Sequence, residues 1–203
     1  MMIEVHKNWI NKSYLIIKEK YVEMNNLDQM LGDGDHGTTI LKGFDKAVLE
    51  MDTISYKNSI EFMSEISRIM RIAMGGASGI LMTIFIKEAG NFNDNDIHNS
   101  ILSIFSNSIE KIKKRGNVNA GDKSILDIYI PLHYEINKNT NIFIDDIFSI
   151  IDKSLEATKN MEAKVGRAKF LETKGLGMID PGAFSTSIIL REFFREIYNE
   201  KNN

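Results

Sequence analysis

The chain has 203 residues, of which 43% are hydrophobic and 26% are charged, so it can bury one compact core but is short for two full domains. Its 25 basic and 28 acidic residues leave a net charge of -3, which argues against binding to nucleic acid or to anionic membranes. The absence of cysteine excludes disulfides, thiolate metal sites and cysteine nucleophiles. We therefore expect a single domain over residues 1–203. The lack of cysteine is compatible with the reducing cytoplasm, where we expect the protein to be located.

Apolar residues recur along most of the chain with the 3.6-residue period of amphipathic helices. Only two prolines occur against 14 glycines, which is typical of long helices separated by glycine turns. No segment reaches the roughly 18 uncharged apolar residues that a membrane span requires. The pattern predicts an all-α fold with eight helices, at residues 3–24, 38–51, 59–73, 80–89, 96–114, 123–136, 145–163 and 181–198.

Glycine-rich connections follow the first, third, fifth and seventh predicted helices, at residues 31–37, 75–79, 115–124 and 175–182. If consecutive helices are antiparallel, alternate connections lie at the same end of the bundle. Each of these connections also precedes a helix, so several helix N-termini with unpaired N–H groups point to one region. The sequence therefore predicts an anion site at one end, most naturally for a polyphosphate.

Three aspartates form the acidic part of the predicted site. Asp33 and Asp35 are two residues apart, so their side chains project to one side of the loop, and Asp28 can fold back over the same place. Three hard carboxylates favour Mg²⁺, which keeps waters and substrate phosphates in its coordination shell. The alternative is that these residues form a turn and that Asp35 caps the next helix.

The residues that follow the acidic loop are suited to phosphate oxygens. His36, Gly37, Thr38 and Thr39 begin the second helix, where backbone N–H groups and hydroxyls can donate hydrogen bonds and the glycine permits close approach. The alternative is an ordinary helix start that a threonine caps. The small residues at 75–79 likewise fit either a ligand close to the backbone or close helix packing at a tight turn.

Residues 116–124 have the glycine spacing of a Walker A motif, but they do not form one. Asp122 precedes Lys123, and a helix rather than a strand comes before the loop. We expect Asp122 to cap the sixth helix and Lys123 to be free to reach a phosphate or a partner. Asp180 and Pro181 similarly fit the N-cap and the first position of the last helix.

The segment 164–179 combines glycines with several cations, as a mobile lid over an anionic ligand does. A solvated basic loop is the alternative. We expect Arg167 to be the cation nearest the phosphates, because its planar guanidinium matches their oxygens.

Together these motifs resemble the nucleotide-binding L subunit of bacterial dihydroxyacetone kinases. The resemblance rests on Asp28-x4-Asp33-Gly-Asp35-His36-Gly37-Thr38-Thr39, Gly75-Gly76-Ala77-Ser78-Gly79, Gly121-Asp122-Lys123-Ser124 and Asp180-Pro181-Gly182-Ala183, in this order. Each motif alone is weak, but the ordered set is specific. It implies a closed antiparallel up-and-down barrel of eight helices with the nucleotide at one end.

The resemblance also implies the roles of the site residues. Asp28, Asp33 and Asp35 would hold two Mg²⁺ ions that bridge the phosphates of ADP or ATP, and Arg167 would be catalytic by adding charge in the transition state. The implied nucleotide contacts are His36, Gly37, Thr38, Thr39, Ala77, Ser78, Gly116, Ile125, Arg167, Asp180, Pro181 and Gly182.

The reaction that the resemblance implies is phosphoryl transfer to dihydroxyacetone. ADP would stay bound as a cofactor, a phosphohistidine subunit of the sugar phosphotransferase system would recharge it to ATP, and a second subunit would present the ketose. One alternative is the same domain in an ATP-dependent kinase for another short ketose. The other is an ADP-sensing regulator that binds a transcription factor without turnover.

Overall fold

The computed structural model describes residues 2–199, except for the side chains of Ala77, Ser78 and Asn199. Within that part the chain forms eight α-helices and no strand, as predicted. No helix there is both long and apolar enough to cross a membrane. The helices are α1 Met2–Gln29, α2 His36–Glu50, α3 Ser59–Met74, α4 Gly76–Glu88, α5 Ile97–Gly116, α6 Leu126–Lys138, α7 Ile144–Ala157 and α8 Pro181–Asn199.

The eight helices close into a ring. Each helix packs against the next one along the chain, and α8 packs against α1. The connections from α1 to α7 are short, so these neighbouring helices run antiparallel, and the longer segment 158–180 joins α7 to α8. The closed up-and-down barrel that the sequence resemblance implies is confirmed.

Aromatic rings from five helices fill the centre of the barrel. Trp9, Phe85, Phe105, Tyr129 and Phe193 are all buried, and the centroid of the Phe85 ring lies 5.2 to 6.0 Å from the other four. The indole nitrogen of Trp9 donates a hydrogen bond of 2.9 Å to a backbone carbonyl of α8, which satisfies its only polar atom. The barrel is therefore solid at its centre, and space for a ligand lies among the loops.

The start of α6 differs from the prediction. The helix begins at Leu126 rather than at Lys123, because the Asp127 carboxylate accepts hydrogen bonds from the backbone N–H groups of Gly121 at 2.6 Å and Ser124 at 2.7 Å. These bonds fold the preceding residues into a turn instead of a first helical turn.

Two helix ends also differ from the prediction. The first helix continues beyond residue 24 to Gln29, although its apolar period has ended, because polar residues there contact the start of α2. The seventh helix ends at Ala157 rather than at residue 163, and a short 3-10 turn follows it at Thr158–Asn160.

Candidate functional site

The four glycine-rich connections meet at one end of the barrel, where they enclose a cleft of about 690 Å³. Its lining includes the first residues of three helices, His36 of α2, Gly76 of α4 and Pro181 of α8, and Ile125 immediately before α6. This arrangement confirms the predicted convergence of helix N-termini. The volume is typical of a site for a small organic ligand.

The three predicted aspartates lie together in this cleft. One carboxylate oxygen from each of Asp28, Asp33 and Asp35 lies within 4.8 Å of the other two, and no other trio of potential metal-binding side chains this close occurs in residues 2–199. Gly32 leaves the cluster open, because a Cβ at this position would come within 2.6 Å of an Asp28 oxygen. Hard oxygen donors at this spacing fit Mg²⁺ that retains water and phosphate ligands.

Asp28 is held in place by the start of α2. Its Oδ2 atom accepts hydrogen bonds from the backbone N–H groups of Asp35 at 3.0 Å and His36 at 3.2 Å. Asp35 stands at the N-cap position, but its side chain makes no capping hydrogen bond. The capping role is therefore taken by Asp28 of α1, and the Asp35 carboxylate stays in the cluster.

His36 and Thr39 line the cleft, as expected. The His36 ring is buried and its Nε2 atom lies 2.9 Å from the Ser185 hydroxyl, and burial lowers the pKa of this imidazole. The N–H group of Thr39 donates to the carbonyl of Asp35 within the first helical turn. The His36 ring and the Thr39 N–H group therefore already have protein partners at the border of the cleft.

Gly37 and Thr38 do not line the cleft. A Cβ on Gly37 would collide with the backbone carbonyl oxygen of Tyr21, so this glycine permits close packing of α1 and α2. Thr38 donates its backbone N–H to the side-chain oxygen of Asn25 at 3.0 Å and accepts from its amide at 2.8 Å. The structure thus gives both residues roles in joining the two helices.

Arg167 lies at the carboxylate cluster. Its guanidinium forms an ion pair with Asp33, and the neighbouring residues Val165, Gly166 and Ala168 line the same cleft. The structure thus places Arg167 beside the acidic loop. Its contact with phosphate stays a prediction, as does movement of its loop.

The predicted roles of Asp122 and Lys123 are wrong. Asp122 does not cap α6, since its carboxylate accepts from the backbone N–H of Asn119 at 2.7 Å. The Lys123 ammonium is not free, because four backbone carbonyl oxygens surround it at 2.6 to 3.3 Å. Burial lowers the pKa of this lysine, and the charge of Asp180 opposes that shift.

The start of α8 follows the sequence prediction. The Asp180 carboxylate accepts a hydrogen bond of 2.7 Å from the Ala183 N–H, and Pro181 occupies the first helical position. Desolvation raises the pKa of Asp180 to about 7, against the effects of that hydrogen bond and of the Lys123 ammonium. Asp180, Pro181 and Gly182 all line the cleft.

Apolar side chains form another part of the cleft lining. Ile125 was expected there, whereas Ile80, Leu81 and Val118 were not. Their only sequence signal was their position beside the glycine-rich segments. Gly116, which has no side chain, also lines the cleft, as expected. The side chains of Ala77 and Ser78, which were also expected at the site, lie outside the described part of the structure.

Fold and cleft together define a class of protein: an eight-helix barrel with carboxylates and helix N-termini gathered at one end. The chain belongs to the DAK2 domain family, whose model matches residues 30–195.

Similar proteins agree with this family. The chain is 26% identical over 193 residues to the ADP-binding subunit DhaL of the PEP-dependent dihydroxyacetone kinase of Escherichia coli K12, covering 91% of this chain and 92% of that relative. It is 27% identical over 183 residues to the corresponding subunit of kinase 1 of Listeria innocua, covering 89% and 90%.

A solved structure shares the fold. The dihydroxyacetone kinase of C. freundii in complex with AMP-PNP and Mg²⁺ superimposes with a TM-score of 0.70 at 20% sequence identity. The match covers 92% of this chain and 32% of that larger chain.

Proposed function

We propose that this chain is the nucleotide-binding subunit of a dihydroxyacetone kinase. The observation that carries the proposal is the cluster of Asp28, Asp33 and Asp35 beside Arg167 in the cleft. Carboxylates for a divalent metal, a guanidinium for phosphate oxygens and a volume suited to a nucleotide occur together there. The family and the two similar ADP-binding subunits supply the specific reaction.

The three aspartates would hold two Mg²⁺ ions, which when bound neutralise charge on the phosphate oxygens. The nucleotide would be ADP or ATP, and the apolar lining that includes Ile125 would hold its base. Arg167 places a fixed positive charge at the phosphates, where charge develops during transfer. Phosphoryl transfer depends mainly on such alignment and charge neutralisation, so this chain needs no nucleophile of its own.

Two further subunits complete the proposed reaction. A phosphohistidine subunit of the sugar phosphotransferase system recharges bound ADP, and a ketose-binding subunit presents the dihydroxyacetone hydroxyl that receives the phosphoryl group. A cytoplasmic location is part of this proposal, because the phosphoenolpyruvate-driven donor chain operates there. A transcription regulator as an additional partner stays a prediction.

Reconstitution tests the reaction directly. The purified chain is mixed with candidate ketose-binding and phosphohistidine subunits, and dihydroxyacetone phosphate is measured with phosphoenolpyruvate or ATP as the donor. We expect turnover with phosphoenolpyruvate and catalytic amounts of ADP. Turnover only with stoichiometric ATP would instead favour an ATP-dependent kinase, and binding of ADP without transfer under either condition would contradict the kinase function.

Replacement of a single carboxylate tests the metal site. We expect Asp35→Asn to lower transfer by about 100-fold or more, because the substitution removes a charge that positions metal and phosphate. Its far-UV circular dichroism should be unchanged, because the Asp35 side chain makes no capping hydrogen bond. The matched control is Asp146→Asn, at an exposed aspartate in the first turn of α7, which should retain transfer. Equal activity of the two variants would contradict the assignment.

A further inference from the structure

Lys123 is an interior cation whose donors all point at the backbone. The residue is 2% exposed, and its Nζ atom donates to the carbonyl oxygens of Met178 at 2.6 Å, Thr158 and Gly175 at 2.7 Å, and Met161 at 3.3 Å. An ammonium has three protons to donate, so the three short bonds already use all of them. No donor is left for a ligand in the cleft.

Three of the four carbonyl oxygens belong to the two ends of one loop, and the fourth, that of Thr158, lies three residues before its start. We define the cleft loop as residues 161–178, which begins and ends at ligands of the Lys123 ammonium. A backbone hydrogen bond of 2.8 Å from Ala163 to Lys174 closes the loop above this point. The Lys123 ammonium therefore binds backbone carbonyls at both ends of the loop.

The middle of the cleft loop reaches the carboxylates. Arg167 forms its ion pair with Asp33 from this part of the loop, and its neighbours Val165, Gly166 and Ala168 line the cleft. The position of the Arg167 guanidinium thus depends on where the loop is held.

The residue before Lys123 also contacts the loop. The backbone N–H of Lys164 donates to the Asp122 carbonyl at 3.1 Å, and the Lys164 ammonium lies 3.3 Å from the Asp122 carboxylate. The Lys164 side chain is largely exposed, so solvent screens this ion pair. The buried Lys123 bonds are the stronger restraint, since unmaking them leaves buried carbonyl oxygens without donors.

We propose that Lys123 is a positioning residue for phosphoryl transfer. Its ammonium holds the cleft loop by both ends and so fixes Arg167 against the phosphates. Lys123 itself does not touch the nucleotide. The catalytic part of this inference rests on the proposed function, whereas the holding of the loop does not.

Trypsin digestion tests the holding of the loop without any assay of activity. In Lys123→Met we expect cleavage after Arg167 and Lys169 to accelerate by about tenfold or more, because the loop ends lose their common donor. The matched control is Lys159→Met, which removes a partly exposed ammonium close in sequence to the loop and should leave the cleavage rate unchanged. Equal cleavage of Lys123→Met and the unsubstituted protein would overturn the proposal.

A double-mutant cycle tests the link to Arg167. We expect Lys123→Met and Arg167→Gln each to lower kcat by about 100-fold, because a small misplacement of a positioned charge is costly. The two substitutions together should be little worse than either alone, and Mg-ADP affinity should change less than kcat. If the double variant lost kcat by the product of the two single losses, Lys123 would not act through Arg167. That result would overturn the positioning role.

Chemical rescue separates positioning from general damage to the fold. Lys123→Ala leaves a space lined by the same carbonyl oxygens, so methylammonium should restore resistance to trypsin and part of kcat. Tetramethylammonium has no N–H to donate and should restore neither. Absence of rescue by methylammonium would count against the proposal.

If the unsubstituted protein bound no Mg-ADP, the proposed function would fail, while the trypsin result would still decide the role of Lys123 in the loop.

Discussion

The Asp28 carboxylate both caps α2 and belongs to the carboxylate cluster. Its Oδ2 atom accepts from the two backbone N–H groups at the start of α2, while Gly32 leaves room beside its Oδ1 atom. The N-terminal dipole of α2 favours a negative charge at this place. The residue that caps the helix therefore also orients the carboxylate cluster, so the cluster geometry depends on the contact between α1 and α2.

The burial of His6 predicts that the stability of the protein depends on pH. The imidazole is buried and neither ring nitrogen has a hydrogen-bond partner, and burial lowers its pKa from 6.5 to about 4. Between these pH values the unfolded chain binds the proton and the folded chain does not. The contribution of His6 to the free energy of unfolding is therefore fully present above pH 6.5. It falls by about 3 kcal/mol as the pH is lowered to about 4.

Urea denaturation at several pH values between 7 and 4 measures this effect. His6→Leu removes the titrating ring, so its free energy of unfolding should fall less steeply with acidification than that of the unsubstituted protein. Parallel curves for the two proteins would show that His6 is not the group responsible.

At the scale of elements, the α1–α2 pair carries most of the acidic site. Gly37 lets the helices touch, since a Cβ there would collide with the Tyr21 carbonyl. We expect Gly37→Ala to lower the free energy of unfolding by about 1–3 kcal/mol, because a backbone cannot move aside as a side chain can. It should also weaken Mg-ADP binding by shifting Asp28 relative to Asp35.

Gly116→Ala is the comparison for this substitution. The three atoms nearest to its Cβ would be side-chain atoms of Val118 and Leu81, at 3.0 to 3.2 Å, and these can adjust. Thermal denaturation should show a smaller loss for Gly116→Ala than for Gly37→Ala. The reverse order would contradict the packing role of Gly37.

The helices and the start of α8 were predictable from the sequence, but the start of α6 was not. Periodicity identified α6, yet its start depends on the Asp127 carboxylate turning back to Gly121 and Ser124. The sequence predicts a Lys123 that is free to reach a phosphate or a partner. Its true partners are backbone carbonyls 35 to 55 residues away, and backbone carbonyls leave no signal in a sequence.

At the scale of the whole molecule, the order of the glycine loops predicted where the cleft lies. Antiparallel helices place alternate connections at one end, and that argument needed only the number of helices and the loop positions. The prediction that α8 closes onto α1 came from the resemblance, because helix patterns alone do not distinguish an open bundle from a barrel. Asp28, Asp33 and Asp35 were correctly predicted to lie together.

Calorimetric titration of the purified chain with ADP, with and without Mg²⁺, tests the central claim most directly. We predict saturable binding of one ADP per chain in Mg²⁺, lost when the metal is chelated and strongly weakened in Asp35→Asn but not in Asp146→Asn. Absence of ADP binding in Mg²⁺, or equal binding after chelation, would contradict the assignment of this cleft as a metal-dependent nucleotide site.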